Sequence, residues 1–237
     1  MSEAQDGKVI VRPKPFVITV QLAQPWQVVT PAVYRYENAQ WIDEFFDTGR
    51  LRLSSFAQFA KYPDEARGDP NEGSAFCYGE APNDRCVIVQ QTQGMTSAVF
   101  CCSHRLDRDL QNAFQRNSVF EIINTVAFAH EISRQIPGFR QGYEGSCIYR
   151  SDGRISRKVD IDWENYKLPD GNIDMRLMTD SMQALGGAEL ILLKRKQYEN
   201  QQEYRLLWEL DMLPGDFIDV AAPMARQYCR RVQASDY

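Results

Sequence analysis

Gln201-Gln202-Glu203-Tyr204-Arg205-Leu206-Leu207-Trp208 alternates with period two, so that Tyr204, Leu206 and Trp208 share one face and Gln201, Glu203 and Arg205 the other. Large apolar side chains on one face predict a strand that borders a core. The second face has two readings. Either Glu203 and Arg205 are solvated surface charges, or a glutamate stands on a rigid strand beside a cleft, two residues after an amide side chain. The preceding segment, 189–197, predicts the other strand of a hairpin with 202–210, and 175–185 predicts a helix ended by Gly186-Gly187.

Further upstream, 96–103 is almost wholly apolar or small and predicts a central strand, with 86–90 another strand. Ser118-Val119-Phe120-Glu121 has the Ser-x-x-Glu form of a capping box, and Ile122, Val126, Ala129 and Ile136 behind it predict one face of a helix that stops before Pro137-Gly138. Residues 146–149 and 155–161 resemble strands. Nearer the start, Val33-Tyr34-Arg35-Tyr36 is a short strand, followed by a helix over 38–47 in which Trp41/Phe45 and Ile42/Phe46 share faces, closed by Gly49 as C-cap. Leu51-Arg52-Leu53-Ser54 alternates as a strand, and 55–62 predicts a short helix before Pro63. Residues 16–29, interrupted by Pro25, suit edge strands, and the Gly- and Pro-bearing run 66–73 suits a structured turn or a lid. Together these elements predict an α+β fold of mixed, mostly antiparallel sheets with flanking helices.

At 237 residues without repeats, low-complexity tracts or a long linker, the chain is expected to form a single domain over 1–237, frayed at about 1–7 and 233–237. Hydrophobic residues make up 43% and aromatic residues 11%, enough for a core and incompatible with intrinsic disorder. With 27 basic and 32 acidic side chains the net charge is −5, so no global positive field recruits nucleic acid. Acid replaces the positive charge of a secretory signal at Met1-Ser2-Glu3-Ala4-Gln5-Asp6, and no apolar run approaches a membrane span of about 18 residues. A cytoplasmic protein with six reduced thiols is expected.

A metal centre is not expected, because His104 and His130 are the sole histidines and Cys101-Cys102-Ser103-His104 lacks Cys-x-x-Cys spacing. His130 suits a packed structural role on its helix. Motifs for dinucleotide-binding Gly-rich loops, Walker A loops, nucleophile elbows and zinc proteases do not occur in the sequence. Tyr34-Arg35-Tyr36 sets an arginine between aromatic rings, where its planar fork suits a phosphate or carboxylate; an inter-strand ion pair is the plainer reading.

Tyr34-Arg35-Tyr36, the helix after it, Thr48 to Ser55, the Gly68-Asp69-Pro70-Asn71-Glu72 loop, Val99 to Ser103 and the closing Gln201-x-Glu203-Tyr204-Arg205 together resemble a widespread bacterial family described as a domain of unknown function. The resemblance covers about 34–208. The same order is similar to diverged ADP-ribosyltransferases, whose fold opens with a strand bearing arginine or histidine, has a middle strand with serine or tyrosine, and ends with Glu-x-Glu or Gln-x-Glu. Arg35 and Gln201-Gln202-Glu203 match the ends, and Ser54, Ser55 or Ser103 the middle.

That resemblance implies an ADP-ribosyltransferase-like fold, NAD as substrate without a metal, and a macromolecular acceptor, protein or nucleic acid. Glu203 and Gln201 would be catalytic, and Arg35, Tyr36, Ser54 and Ser103 would bind the cofactor. Glu203 would stabilise a cation-like ribose, Gln201 orient an acceptor, and Arg35 bind the pyrophosphate or the adenosine ribose. Trp41 or Tyr34 and Tyr36 would wall the nicotinamide or belong to the core. Gln-x-Glu leans the acceptor toward an amide side chain or a nucleobase, in a bacterial toxin or phage-defence setting. The competing expectation is a non-catalytic interaction module, defence-associated or antitoxin-like, that binds a protein or nucleic-acid partner through the late hairpin and the runs Arg150/Arg154/Arg157/Lys158 and Lys194-Arg195-Lys196.

Overall fold

Distant segments meet in one sheet because the apolar runs, not the sequence neighbours, find one another. The computed structural model describes residues 31–59, 61, 74–81, 85–92, 96–151, 154–158, 163–186, 189–212, 215–233 and 236–237. In chain order these form β1 (Val33–Glu37), α1 (Ala39–Thr48), β2 (Arg50–Ser55), α2 (Phe56–Phe59), β3 (Ser74–Ala81), β4 (Arg85–Thr92), β5 (Ser97–Ser103), α3 (Arg108–Ala113), β6 (Ser118–Ile122) and α4 (Thr125–Ser133). There follow β7 (Phe139–Ser146), β8 (Ile148–Arg150), β9 (Arg154–Lys158), α5 (Met175–Gly186), α6 (Glu189–Leu192), β10 (Leu193–Arg195), β11 (Glu203–Leu210), β12 (Phe217–Ala221) and β13 (Cys229–Arg231). Short 3₁₀ turns occupy Trp163–Tyr166, Lys196–Gln201 and Pro223–Tyr228. The expected strands at 16–29 and the loop at 66–73 lie outside the described residues.

The main sheet has eight strands in the order β12-β2-β5-β1-β6-β13, with β11 on the other edge of β5 and β7 beyond it. Every pairing within it is antiparallel. Two smaller sheets, β4-β3-β9 and β10-β8, contain the parallel pairs. The fold is therefore mixed α+β with a mostly antiparallel sheet.

One face of the sheet carries the main core: Val33, Leu53, Phe100, Phe120, Leu206 and Trp208 pack against Ile42 and Phe45 of α1 and Phe128 and Ile132 of α4. Tyr204, Leu206 and Trp208 all point there, as their alternation requires. The opposite face is covered in two separate patches. Phe56 and Ile191 cover Val99 and Leu207, while Leu110 of α3 covers Tyr36 and Val119. The ground between those patches is where the candidate site lies.

Three local expectations give way to tertiary structure. Ser118–Glu121 is not a capping box but part of β6, whose Val119 to Ile122 run is buried between β1 and β13. The helix starts after Asn124, whose side chain accepts from the Ala127 N–H at 3.0 Å, and its buried side is Thr125, Phe128 and Ile132, leaving Val126 52% exposed. Residues 189–197 do not form a hairpin with β11: they make α6, β10 and a 3₁₀ turn, and β10 pairs in parallel with β8. The partners of β11 are β5 and β7, both distant in sequence. His130 and Trp41 are exposed rather than packed. At the chain's end Tyr237 lies over the Arg108 guanidinium and its hydroxyl meets Gln111, which ties the tail to α3.

Gly49 shows how tightly α1 is joined to the sheet. It caps α1 at φ 80°, its N–H reaching the Phe45 carbonyl at 2.7 Å, and an added Cβ would stand 2.4 Å from Pro223 Cα. Gly49→Ala is expected to lose about 2 kcal/mol or more, since both the left-handed backbone and the backbone contact oppose a side chain. A fall in the urea midpoint at unchanged slope checks it.

Candidate functional site

β5 has one edge fully paired with β11 and one edge shared. On the shared edge β2 pairs only at Ser54↔Val99 and Ser55↔Ala98, and β1 only at Tyr34↔Ser103. Between Val99 and Ser103 that edge has no ladder partner among the described residues, so the sheet opens. A cavity of about 100 Å³ lies at this opening. Ser54 and Val99 line one side and Tyr34 and Tyr36 the other, with Phe59 and Phe114 as further apolar walls.

Arg35 is placed by this opening. Strand alternation sets it on the face opposite Tyr34 and Tyr36, above the Phe100 ring at 4.5 Å, yet its guanidinium reaches into the gap. Nη1 donates to the Cys101 carbonyl at 2.8 Å, standing in for a ladder N–H, and Nη2 donates to Glu37 Oε2 at 3.0 Å. Burial works against its charge, and Glu37 with the neighbouring Cys101 and Cys102 together more than offset that, so the guanidinium stays charged. Tyr36 contributes its ring; its hydroxyl is engaged, donating to the Arg105 carbonyl at 2.6 Å and accepting from the Asp107 N–H at 2.9 Å.

Across the cavity stands Glu203, 5% exposed at the start of β11. Arg205 Nε donates to its Oε1 at 2.6 Å, Lys194 Nζ to its Oε2, and the Cys147 thiol approaches Oε1 at 3.6 Å. The backbone N–H of Glu203 donates to Tyr149 Oη at 2.7 Å, which fixes where the strand begins. Burial alone would raise this carboxyl's pKa, but Arg205 and Lys194 outweigh it and hold the group well below the usual carboxylate range. Gln201 lies beside it, its Oε1 accepting from the same Lys194 Nζ at 3.0 Å. Gln202 adopts φ 42°, a left-handed step that ends the 3₁₀ turn and lets Gln201 and Glu203 line one cavity although only Glu203 is in the strand.

Of the six residues singled out from sequence, Arg35, Tyr36, Ser54, Gln201 and Glu203 line this cavity. Ser103 does not. It is 2% exposed, directly opposite Glu203 in register, and its hydroxyl donates to the Gln201 carbonyl at 2.7 Å and accepts from the Arg105 N–H at 3.0 Å. Its role is to fix the turn that delivers Gln201. Neither Trp41 nor Ser55 is in the wall, whereas Tyr34 is.

Sequence reasoning missed Arg116, Lys194 and Arg205 as members of the site. Arg205 is the plainest omission, since it shares the face of Glu203; it is 1% exposed, and its Nη1 donates to the Ile191 carbonyl at 2.8 Å. Lys194 belongs to a basic run in sequence, but its side chain turns inward and is 9% exposed, and Arg195 stacks on Tyr198. That run is therefore not a solvated basic strip.

Cys101 and Cys102 also border the cavity. Burial pushes the Cys102 thiol up to about 12 and the Cys101 thiol well above its ordinary value, so neither is a thiolate nucleophile at neutral pH. His104 contacts Ser146 Oγ at 2.7 Å through Nε2 and meets the Tyr204 ring edge-on. Among the described residues no group of three or more His, Cys, Asp or Glu side chains gathers to hold a metal ion, and no helix is long and apolar enough to cross a membrane.

Four cationic side chains around a small cavity suit an anionic group. At about 100 Å³ the space encloses part of a ligand whose remainder lies outside it, against the roughly 300–1,000 Å³ of sites that enclose a whole ligand. Compared with protein-family models, with curated proteins and with solved structures, the chain matches none.

Proposed function

We propose that this protein is an NAD-dependent transferase of the ADP-ribosyl type that modifies a macromolecular acceptor, a nucleobase or a protein side chain. One observation carries the reading: Arg35, on β1, and Gln201 and Glu203, at the entry to β11, line the same cavity although most of the chain separates them. The resemblance requires that juxtaposition, because NAD has to touch both ends at once.

In this reaction the bond between nicotinamide and ribose breaks, nicotinamide leaves with the bonding pair, and the acceptor attacks the cation-like sugar carbon and gives up its proton to solvent. Glu203 faces the developing positive charge. Its low pKa keeps it ionised throughout the working range. Gln201 orients the acceptor, and Arg35 holds the pyrophosphate with a charged planar fork. Such chemistry on a nucleobase or an amide side chain suits a toxin or a phage-defence factor.

A second reading is favoured by a different observation. Glu203 is already ion-paired to both Arg205 and Lys194, as in a buried structural network, and on that ground the protein is a non-catalytic interaction module. The two separate on a thermal shift. A transferase is stabilised by NAD, by about 2.7 kcal/mol at 100 times the dissociation constant, and releases nicotinamide when given an acceptor extract. An interaction module does neither.

A further inference from the structure

We propose that Arg116 and Arg35 together form a two-pronged phosphoryl site in the wall of the cavity, and that the group it takes is the pyrophosphate of an ADP-ribose moiety. The subsite stands on the geometry below; naming its ligand as ADP-ribose rests on the transferase reading.

Both guanidiniums line the cavity and both are held by one carboxylate. Arg35 Nη2 lies 3.0 Å from Glu37 Oε2, and Arg116 Nη1 lies 3.1 Å from Glu37 Oε1. Two arginines on one glutamate leave this trio with one positive charge in excess. All three side chains are largely withdrawn from water, at 21%, 21% and 18% exposure, so the excess is poorly screened. A bound phosphoryl group supplies the missing negative charge. It also offers oxygens on more than one side, which suits two planar forks better than a single ammonium.

The placement of Arg116 is built rather than incidental. Gln115, just before it, has φ 54°, a left-handed backbone that costs free energy in a residue with a side chain. That step follows the end of α3, where the N–H groups of Phe114, Gln115 and Arg116 reach the carbonyls of Leu110, Asn112 and Gln111. Beyond it, Asn117 Oδ1 accepts from the Ala39 N–H at 2.7 Å and ties the turn to the start of α1. The turn thus fixes one arginine while the Phe100 ring and the Cys101 carbonyl fix the other. Neither needs to reorganise to receive a ligand, which lowers the entropic cost of binding.

The test is calorimetric titration of the full chain with ADP-ribose, which carries the pyrophosphate but has no nicotinamide bond to break, alongside adenosine, which has no phosphate. The expected result is that wild type binds ADP-ribose at least ten times more tightly than adenosine. Arg116→Ala weakens ADP-ribose at least tenfold, Arg116→Lys restores only part of that, and adenosine is unchanged in both. Arg116→Gln serves if the alanine variant melts early. ADP-ribose binding within twofold of wild type in a folded Arg116 variant overturns the proposal, as does equal binding of adenosine and ADP-ribose. Nicotinamide release without measurable ADP-ribose binding overturns the subsite and leaves the transferase reading standing. ADP-ribose binding that depends on Arg116, with no nicotinamide release, upholds the subsite and removes the transferase reading.

Discussion

Glu203→Ala is expected to destabilise the fold by about 3–5 kcal/mol, the usual cost of deleting one partner from a buried ion network. Arg205 is 1% exposed and loses the acceptor of its Nε–H, while Lys194 loses the carboxylate it shares with Arg205. Arg205 cannot shed its proton, so it stays buried as a cation. Glu203→Gln keeps the volume and one acceptor oxygen and costs less. Adding Lys194→Met to Glu203→Gln removes one cation along with the anion, and the pair should be coupled by about 0.5–3 kcal/mol in a double-mutant cycle read from urea midpoints. The pH dependence follows in sign. The carboxyl of Glu203 has a folded-state pKa below its unfolded value of about 4.3, so its contribution is complete above that value and is lost as pH falls toward the folded one. The stability gap between wild type and Glu203→Gln should therefore narrow from pH 5 to pH 2. A gap that is constant or widens with acid contradicts the pairing, and so does a Glu203→Ala variant within about 1 kcal/mol of wild type.

This network also marks where the sequence stopped being informative. The alternation of Tyr204, Leu206 and Trp208 places the core face of β11 correctly, and the apolar run before His104 places β5 at the centre of the sheet. Period two says that Glu203 and Arg205 share the other face; it does not say what covers that face. α2 and α6 do so through Phe56 and Ile191, and neither contact leaves a local pattern around β11. The same limit explains Ser118–Ile122. A Ser-x-x-Glu pattern is a local signal, whereas the burial of Val119 to Ile122 between β1 and β13 is decided by segments far away in sequence. Lys194 and Arg116 look like ordinary surface charges in sequence. Only the approach of β10 to β11's first residue, and the left-handed turn at Gln115, make them part of the site. Arg35 stands out in sequence for its aromatic neighbours, but alternation turns Tyr34 and Tyr36 to the other face, and it is the Phe100 ring and the Cys101 carbonyl, far away in sequence, that cover the guanidinium.

NAD turnover is expected to fall about 100-fold or more in Glu203→Gln while the NAD dissociation constant stays within about threefold, because the lost charge acts mainly as the glycosidic bond breaks. The ground state loses little, since glutamine retains the shape and an oxygen that Arg205 Nε–H can still reach. Arg35→Ala should show the opposite split. Its guanidinium lies in the cavity before any bond breaks, so its removal weakens NAD binding by about 1.5–3 kcal/mol, roughly a ten- to hundredfold rise in dissociation constant, with a smaller effect on turnover at saturation. Arg35 also holds the Cys101 carbonyl where the ladder is interrupted, so each variant is compared at a temperature well below its own melting transition. Nicotinamide release at saturating NAD gives turnover, and titration with a non-hydrolysable NAD analogue gives affinity. If Glu203→Gln turns over NAD as fast as wild type, the glutamate is one corner of a structural ion network. If wild type releases no nicotinamide with any protein or nucleic-acid acceptor, the interaction module takes the place of the transferase.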